Sequence, residues 1–273
     1  MKASFSHIAT LTLALCCAGW PQDSGQPAPG QYDARARYAD LTKKIYGVRQ
    51  RPALAEYEKI TNQLRALLNN AITASLRRGA DADIVRKAVA DVQGDFVLSS
   101  WGPDTNNVPF AETFELAGKA GVAVAFGILR GGEAIPDTLP VLQFYVKEPE
   151  GWVLRSEVDS DFRGRTFSVA RLESPSLLET WWLAWGQTIG DTGARRKVRL
   201  YSFDGDTVKT LWQRDGLEAA RVRVAEDKKT IILDYYQRQG SPEAPRPPLH
   251  IREEWVVTLE GPALVSTTIL GVG

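Results

Sequence analysis

The sequence predicts an α+β protein in which an N-terminal helical hairpin of two to three helices precedes a mainly antiparallel β domain. Apolar residues recur at helical spacing between residues 33 and 94, and the apolar period then changes to two, as in half-buried strands. No long helical pattern separates the strand-like segments, so parallel βαβ units are not expected. The β domain is therefore predicted to be a sandwich, a barrel or a degenerate propeller-like meander.

The helical region is predicted to cover residues 32–94. Pro52 suits the first turn of the second helix, where its missing N–H does no harm, and this helix runs to about Arg78. Asp81 or Asp83 can cap a third helix. The apolar stripes expected to be buried are Ala34, Tyr38, Leu41 and Ile45 on the first helix, Tyr57, Ile60, Leu64, Leu67, Leu68, Ala71 and Ile72 on the second, and Val85, Ala88, Val89 and Val92 on the third.

The β domain is assigned to residues 95–273, where short segments alternate between apolar and polar side chains. Residues 221–224 read Arg-Val-Arg-Val, which is the pattern of a half-buried strand. The Asp204-Gly205 pair between two such segments predicts a hairpin turn. The expected strands are 96–100, 113–116, 122–129, 141–146, 152–157, 166–172, 180–186, 197–203, 208–213, 220–225, 230–236, 254–259 and 264–270.

Residues 1–18 have the pattern of a secretory signal peptide. Lys2 supplies a positive start, and the apolar run of 11 residues at 8–18 is too short to span a bilayer as a helix. Small residues before the junction allow cleavage after Ala18. Residues 19–31 are rich in Pro, Gly and Gln, and we expect them to be a disordered linker. The sequence thus predicts export to the periplasm or the cell exterior.

Both cysteines of the chain, Cys16 and Cys17, lie at this junction. Cleavage after Ala18 would leave no cysteine, which excludes a disulfide framework. The alternative is lipid attachment to Cys16 or Cys17, which would make the protein a lipid-anchored envelope protein associated with a membrane surface. Residues 13–16 resemble a bacterial lipoprotein box, although such boxes have a small residue where this chain has Leu15.

The composition argues against several partners and cofactors. Lys and Arg number 33 and Asp and Glu number 33, and this balance does not suggest a nucleic-acid partner. Residues 159–164 begin like a calcium loop, but Arg163 and Ala170 stand where oxygen ligands are needed. His250 would be the single histidine left after cleavage, too few for an ordinary zinc site. We therefore expect no metal and no other cofactor.

The two parts of the chain differ in charge. Residues 31–93 carry 12 basic and 7 acidic side chains, a net charge of +5, whereas residues 94–273 carry 20 and 25, a net charge of −5. A unit of about 60 residues with three amphipathic helices is marginally stable alone. The sequence therefore predicts that the helices dock onto the β domain, with some electrostatic help.

Aromatic residues are the candidate ligand-binding residues. Trp181, Trp182 and Trp185 lie in one predicted strand, and Tyr235 and Tyr236 lie in another. In a strand, Trp181 and Trp185 share one face and Trp182 lies on the other. Exposed aromatic faces would stack on sugar rings or other ligands. The alternative is that both faces of this strand are buried in a core.

The leading functional hypothesis is an exported, non-catalytic envelope protein that binds an unknown ligand or an envelope protein through its β domain. One alternative is a structural or assembly lipoprotein. Another is a metal-independent hydrolase that acts on a polysaccharide through two carboxylates. The candidate carboxylates for that chemistry are Asp159, Asp161, Asp191, Asp204, Asp206, Glu253 and Glu254.

Overall fold

The computed structural model describes residues 29–46, 54–79, 81–94, 108–130, 137–159, 161–162, 166–190, 193–241 and 244–272. In these ranges three helices are followed by two antiparallel sheets, which confirms the predicted α+β class. The predicted signal peptide and the strand expected at 96–100 lie outside the described residues. No helix in the described ranges is both long enough and apolar enough to cross a membrane.

The helical layer consists of α1 (Pro29–Tyr46), α2 (Leu54–Arg78) and α3 (Ala82–Gln93). Helix α1 begins at Pro29, within the segment 19–31 that was predicted to be a linker. Helix α3 has the predicted cap, because the Asp81 carboxylate accepts a hydrogen bond from the Asp83 backbone N–H at 2.8 Å.

The first sheet has four strands in sequence order: β1 (Phe110–Leu116), β2 (Lys119–Arg130), β3 (Asp137–Glu148) and β4 (Gly151–Val158). Each strand pairs antiparallel with the next. The β1–β2 turn contains Gly118 with a φ of 77°, a left-handed conformation that glycine adopts without strain. The sheet is therefore a meander of local hairpins.

The second sheet has seven strands, which also follow one another in sequence order. They are β5 (Phe167–Leu172), β6 (Thr180–Gly190), β7 (Gly193–Phe203), β8 (Val208–Val224), β9 (Thr230–Ser241), β10 (Ala244–Thr258) and β11 (Gly261–Val272). The sequence predicted two strands, 208–213 and 220–225, where β8 is continuous. The polar break between them is a pair of bulges near Gly216 and Ala219, which have positive φ and shift the register without ending the strand.

The seven-stranded sheet is strongly curled. The backbone N–H of Glu173, just after β5, donates to the carbonyl oxygen of Lys228 in the β8–β9 turn at 2.8 Å. In a flat sheet β5 and β8 would lie about 14 Å apart, since neighbouring strands are spaced by about 4.8 Å. The curl gives this sheet a concave face and a convex face.

Three hydrophobic cores hold the layers together. The first lies between the helices and the outer face of the four-stranded sheet, where Leu64 of α2 and Val124 of β2 are fully buried. The second lies between the two sheets and contains Phe144 and Trp182. The third lines the concave face of the seven-stranded sheet. The order of layers is helices, four-stranded sheet, then curled seven-stranded sheet, so the β domain comes closest to the predicted sandwich.

The helices dock on the β domain as the amphipathic stripes predict. Tyr38, Leu41 and Leu64 are buried in the core that the helices share with the four-stranded sheet, and Tyr57 is partly buried and packs against that core. A polar contact adds to this packing at the end of α3, where the Gln93 side chain donates to the Gly127 carbonyl oxygen of β2 at 2.7 Å.

A second polar contact ties α2 to the same sheet. Arg65 donates to the carboxylates of Glu157 and, at 2.7 Å, of Asp159. The fully buried Gln143 of β3 donates to both Glu157 and Asn69 of α2. Because these side chains come from both layers, the network fixes the position of α2 on the sheet.

Candidate functional site

The structure places the predicted tryptophans inside the protein. Trp181 is 1% exposed and Trp182 is 0% exposed. Trp182 packs edge-on against Phe114 and Phe144 between the sheets, with ring centroids 5.8 and 5.7 Å apart. Trp181 belongs to the concave core, against which the half-buried Trp185 also packs. The alternation of faces is as predicted, but β6 is covered on both sides, which removes Trp181 and Trp182 from any surface open to a ligand.

Tyr235 is also a core residue, and it holds a buried carboxylate. Its hydroxyl donates to Glu253 at 2.7 Å, and burial together with this hydrogen bond raises the pKa of Tyr235 to about 12. Glu253 accepts further hydrogen bonds from Arg214 at 2.8 Å and from the Trp255 indole N–H at 3.0 Å. With three donors around it, Glu253 has a structural role in the concave face.

Three of the other candidate carboxylates bind neighbouring side chains in the fold. Asp159 binds Arg65, and Asp161 accepts the Tyr201 hydroxyl at 2.5 Å. Asp204 accepts two hydrogen bonds from Thr207 in the β7–β8 turn. These three carboxylates therefore stabilise a turn or join separate elements of the fold. Asp206 lies in the same exposed turn, Glu254 lies on β10, and Asp191 lies outside the described residues.

Five carboxyl groups in the described ranges have a pKa that is shifted in favour of the ionised form. Where a carboxyl pKa clearly departs from its ordinary value in the described ranges, it is lowered; these groups are Glu148, Asp204, Glu218, Asp227 and Asp234. A general acid of a hydrolase needs the opposite shift. No group of three or more His, Cys, Asp or Glu side chains in these ranges is placed to hold a metal ion.

Tyr236 lies on the convex face, opposite to Tyr235, and it lines a groove of about 770 Å³ across β8, β9 and β10. We call this feature the arginine groove; its polar lining consists of Arg221, Arg223, Asp234, Tyr236, His250 and Arg252. Tyr236 pairs across the strands with His250, and the two rings are stacked at 4.9 Å with an interplanar angle of 18°. Of the five aromatic candidates, Tyr236 is the one that lines this groove.

A buried aspartate organises two of the three arginines. Asp234 is 7% exposed and accepts hydrogen bonds from Arg252 Nε at 2.7 Å and from Arg223 Nη2 at 3.1 Å. Burial alone would raise the pKa of Asp234, but the two guanidinium groups outweigh it and hold the pKa below its usual range. The carboxylate therefore stays ionised and fixes the orientation of both guanidinium groups.

Arg221 supplies uncompensated positive charge. It stands across from Asp234 in the β8–β9 register, but no side chain in the described ranges makes a hydrogen bond or ion pair with its guanidinium group. Burial lowers the pKa of Arg196, and the nearby charge of Arg221 lowers it further, so Arg221 lies close to a second guanidinium group. The groove thus has three guanidinium groups around one carboxylate.

Strand alternation explains how the sequence builds the groove. Val222 and Val224 of β8 point into the concave core, so Arg221 and Arg223 between them point to the convex face. The same alternation on β9 and β10 contributes the remaining side chains of the groove. The Arg-Val-Arg-Val signal was visible in the sequence. The meeting of three strands at one place was not, since it depends on pairing register.

Comparison with known proteins gives no relative from which a function could be inferred. No family model matches the chain, and no curated protein matches it. Among solved structures, the chain is similar to a mannose phosphorylase from Leishmania mexicana in complex with phosphate ion. The sequences are 9% identical over 63% of this chain and 70% of that chain, with a TM-score of 0.26. This similarity is too low to support any argument about fold or function.

Proposed function

We propose that this protein is an exported, non-catalytic binding protein whose arginine groove holds a small ligand with phosphate or carboxylate groups. The observation that carries the proposal is the set of three guanidinium groups that surround one carboxylate in a groove of about 770 Å³. That volume falls within the range of about 300–1,000 Å³ that is usual for small-molecule sites.

The chemistry of the groove suits an anion with several oxygen atoms. A guanidinium group presents a planar set of N–H donors that matches carboxylate and phosphate oxygens. Asp234 already orients Arg223 and Arg252, so little side-chain entropy is lost when they bind a ligand. Arg221 makes no competing hydrogen bond in the described ranges and is free to meet the anion. The Tyr236 hydroxyl and the His250 ring supply further polar groups.

The non-catalytic part of the proposal rests on the carboxyl groups. Those with clearly shifted pKa values in the described ranges are held ionised, and Glu253 is enclosed by Arg214, Tyr235 and Trp255. This arrangement favours binding over general acid catalysis. The export part rests on the pattern of residues 1–18 and on no structural observation.

The binding proposal is tested by isothermal titration calorimetry with sodium pyrophosphate and sodium citrate as probes, at low ionic strength. The unchanged chain should bind at least one probe. Arg221→Ala should weaken that binding by about 10- to 100-fold, since a hydrogen bond to a charged group contributes about 1.5–3 kcal/mol and 1.4 kcal/mol is a factor of ten. Arg221→Lys should restore part of the affinity, because it keeps the charge but not the planar donor set.

Arg238→Ala is the matched control. Arg238 is an exposed arginine of β9 outside the groove, paired with Glu218 at 2.7 and 2.8 Å. It carries the same charge as Arg221 and should leave the affinity within about twofold. Equal losses in the two variants would mean that net charge alone attracts the probe. That result, or binding of neither probe, would contradict the proposed site.

Export is tested by N-terminal sequencing of protein recovered from the cell envelope. The mature chain should begin at Gly19 or Trp20. A lipid-modified Cys16 or Cys17 would replace the secreted form by the lipid-anchored alternative. Recovery of the chain with Met1 intact in the cytoplasm would refute export.

A further inference from the structure

Among the described residues, strand β11 is an edge of the seven-stranded sheet and pairs with β10 alone. It is 12 residues long and contains no charged residue. Five apolar side chains of this strand are between 43% and 68% exposed; they are Leu264, Val265, Ile269, Leu270 and Val272. An uncharged, exposed edge strand presents unpaired backbone groups and apolar side chains to any other strand.

The other edge strands of the two sheets are protected in the ways that β11 is not. Strand β5 has 6 residues, most of them buried, and carries Arg171. Strand β1 has 7 residues with Glu112 and Glu115, and β4 has 8 residues with Arg155 and Glu157. Short length and charge are two of the means by which proteins prevent edge pairing, together with proline and bulges. Strand β11 has neither short length nor charge; its Pro262 lies near its start and its bulges lie at Val265 and Leu270, so residues 266–269 between them form a regular edge that is open to pairing.

The sequence of β11 indicates which strand would pair with it. Residues 264–270 read Leu-Val-Ser-Thr-Thr-Ile-Leu, so the chemistry is nearly the same in both directions from Thr267. Two copies in antiparallel pairing about Thr267 would place like residues opposite one another. In the regular stretch the pairs would be Thr267 with itself and Ser266 with Thr268; beyond it, Val265 would face Ile269 and Leu264 would face Leu270, at the bulges of the two copies. Hydroxyl pairs and β-branched pairs of this kind stabilise antiparallel strands.

We propose that β11 pairs antiparallel with β11 of a second copy of this chain, about a two-fold axis at Thr267. Such an interface uses the same surface on both subunits, so a strand of palindromic chemistry is complementary to itself. No like charges meet, because the strand has none. Every pair of neighbouring strands in both sheets is already antiparallel, so the two seven-stranded sheets would join into one continuous sheet.

The first experiment measures the mass of the full chain in solution by light scattering and sedimentation over a range of concentrations. The unchanged chain should reach twice its mass of 30.1 kDa. Ile269→Lys should be monomeric, because the pairing would bury a lysine opposite Val265. Leu177→Lys is the matched control, since Leu177 is 92% exposed in the β5–β6 connection, and it should remain dimeric.

The second experiment locates the two-fold axis and does not depend on how well the lysine variant folds. In the full chain with Cys16→Ala and Cys17→Ala, Thr267→Cys should form a disulfide between two copies. Directly opposed residues in antiparallel strands have Cα atoms about 4.5–5.5 Å apart, which suits a disulfide. Thr210→Cys, an exposed position on β8, should not form a disulfide.

Ser266→Cys chains should crosslink poorly with themselves and efficiently with Thr268→Cys chains, because these two positions face each other across the axis. A monomeric unchanged chain would overturn the proposal, whether another segment or another protein then covers β11. A dimer that survives Ile269→Lys and forms no Thr267→Cys disulfide would overturn it as well. Loss of anion binding by the arginine groove would leave this proposal unaffected.

Discussion

The two sheets share one topology but differ in what covers them. The four-stranded sheet has helices on one face and the other sheet on its second face, and residues 122–126 of β2 are buried without exception. In the part of the chain that the structure describes, the core between the sheets covers the convex face of the seven-stranded sheet at β5, β6 and β7 and reaches Val208 at the start of β8. At β8 to β10 this face carries the arginine groove. The same meander thus stabilises the fold where both of its faces are covered, which we call the covered half. It presents a surface at β8 to β10, which we call the open half.

The strand sequences reflect this difference. Residues 122–126 of β2 are apolar throughout, as in a strand that is covered on both sides. Residues 221–224 of β8 alternate between arginine and valine, as in a strand with one open face. We therefore expect substitutions in the covered half to change stability most, and substitutions in the open half to change binding or assembly.

The largest effect on stability is expected for Leu64→Ala, in the core between the helices and the four-stranded sheet. Leu64 is fully buried, and its loss should lower the free energy of unfolding by roughly 2–5 kcal/mol. Leu211→Ala, at an exposed position on β8 in the open half, should change it by about 0.5 kcal/mol or less. Urea unfolding followed by circular dichroism measures both. A separate helical transition that leaves the β signal unchanged would show that the helices do not stabilise the sheets.

A smaller effect is expected for Arg65→Ala, which removes the polar contact between the helices and the same sheet. Glu157 and Asp159 each lose a charged hydrogen bond in a partly buried site, so the cost should be about 1–3 kcal/mol. Arg86→Ala is the control on α3, where an exposed arginine pairs with Asp83. Its cost should be about 0.5 kcal/mol or less. Equal costs would mean that the inter-layer network contributes nothing specific.

In the open half, the expected effect depends on pH. The pKa of Asp234 is lowered in the folded protein, so its stabilisation is present above the unfolded value near 3.9 and is lost as the pH falls through the folded value. Asp234→Asn should cost about 1 kcal/mol near pH 7 and progressively less below about pH 4. Glu226→Gln in the exposed β8–β9 turn is the control. Unfolding curves should be measured between about pH 2 and pH 7. The expectation would be contradicted if the difference in the free energy of unfolding between Asp234→Asn and the unchanged chain stayed constant over this range.

The smallest effect is expected on removal of metal ions or reduction of disulfides. The two cysteines of the chain both lie within the predicted signal peptide, and the sequence contains no convincing metal-binding motif. EDTA or a reductant should therefore leave the thermal midpoint of both halves unchanged to within about 1 °C. A decrease of several degrees, on the order of 1 kcal/mol, would reveal a bound ion or a disulfide that the sequence does not predict.

Local patterns allowed the elements to be predicted from the sequence. The stripe that contains Leu64 follows the helical period, and the Asp81 cap and the Asp204-Gly205 turn are set by residues next to one another. The opposite faces of Trp181 and Trp182 also follow from local alternation.

Properties that depend on distant segments could not be predicted. Trp182 was proposed as a ligand-binding residue because nothing near it in sequence shows that Phe114 and Phe144 cover it. The sequence does not predict the arginine groove for the same reason, since Arg221, Asp234 and Arg252 come together only through the register of three strands. The sequence also does not predict that β8 is one continuous strand. Its polar segment forms bulges, and the positive φ of Gly216 lets this segment stay within the strand.

The sequential strand order has a consequence for how the protein folds. Each strand of the curled sheet after β5 pairs with the strand before it, so the strand pairings within the sheet are local in sequence. Local contacts cost little loop-closure entropy and favour rapid folding. A chain that folds as it is synthesised can add one hairpin at a time, so that every new strand covers the edge left by the previous one. At each stage of synthesis, the strand that could pair wrongly is then the one formed last. In the finished sheet that strand is β11.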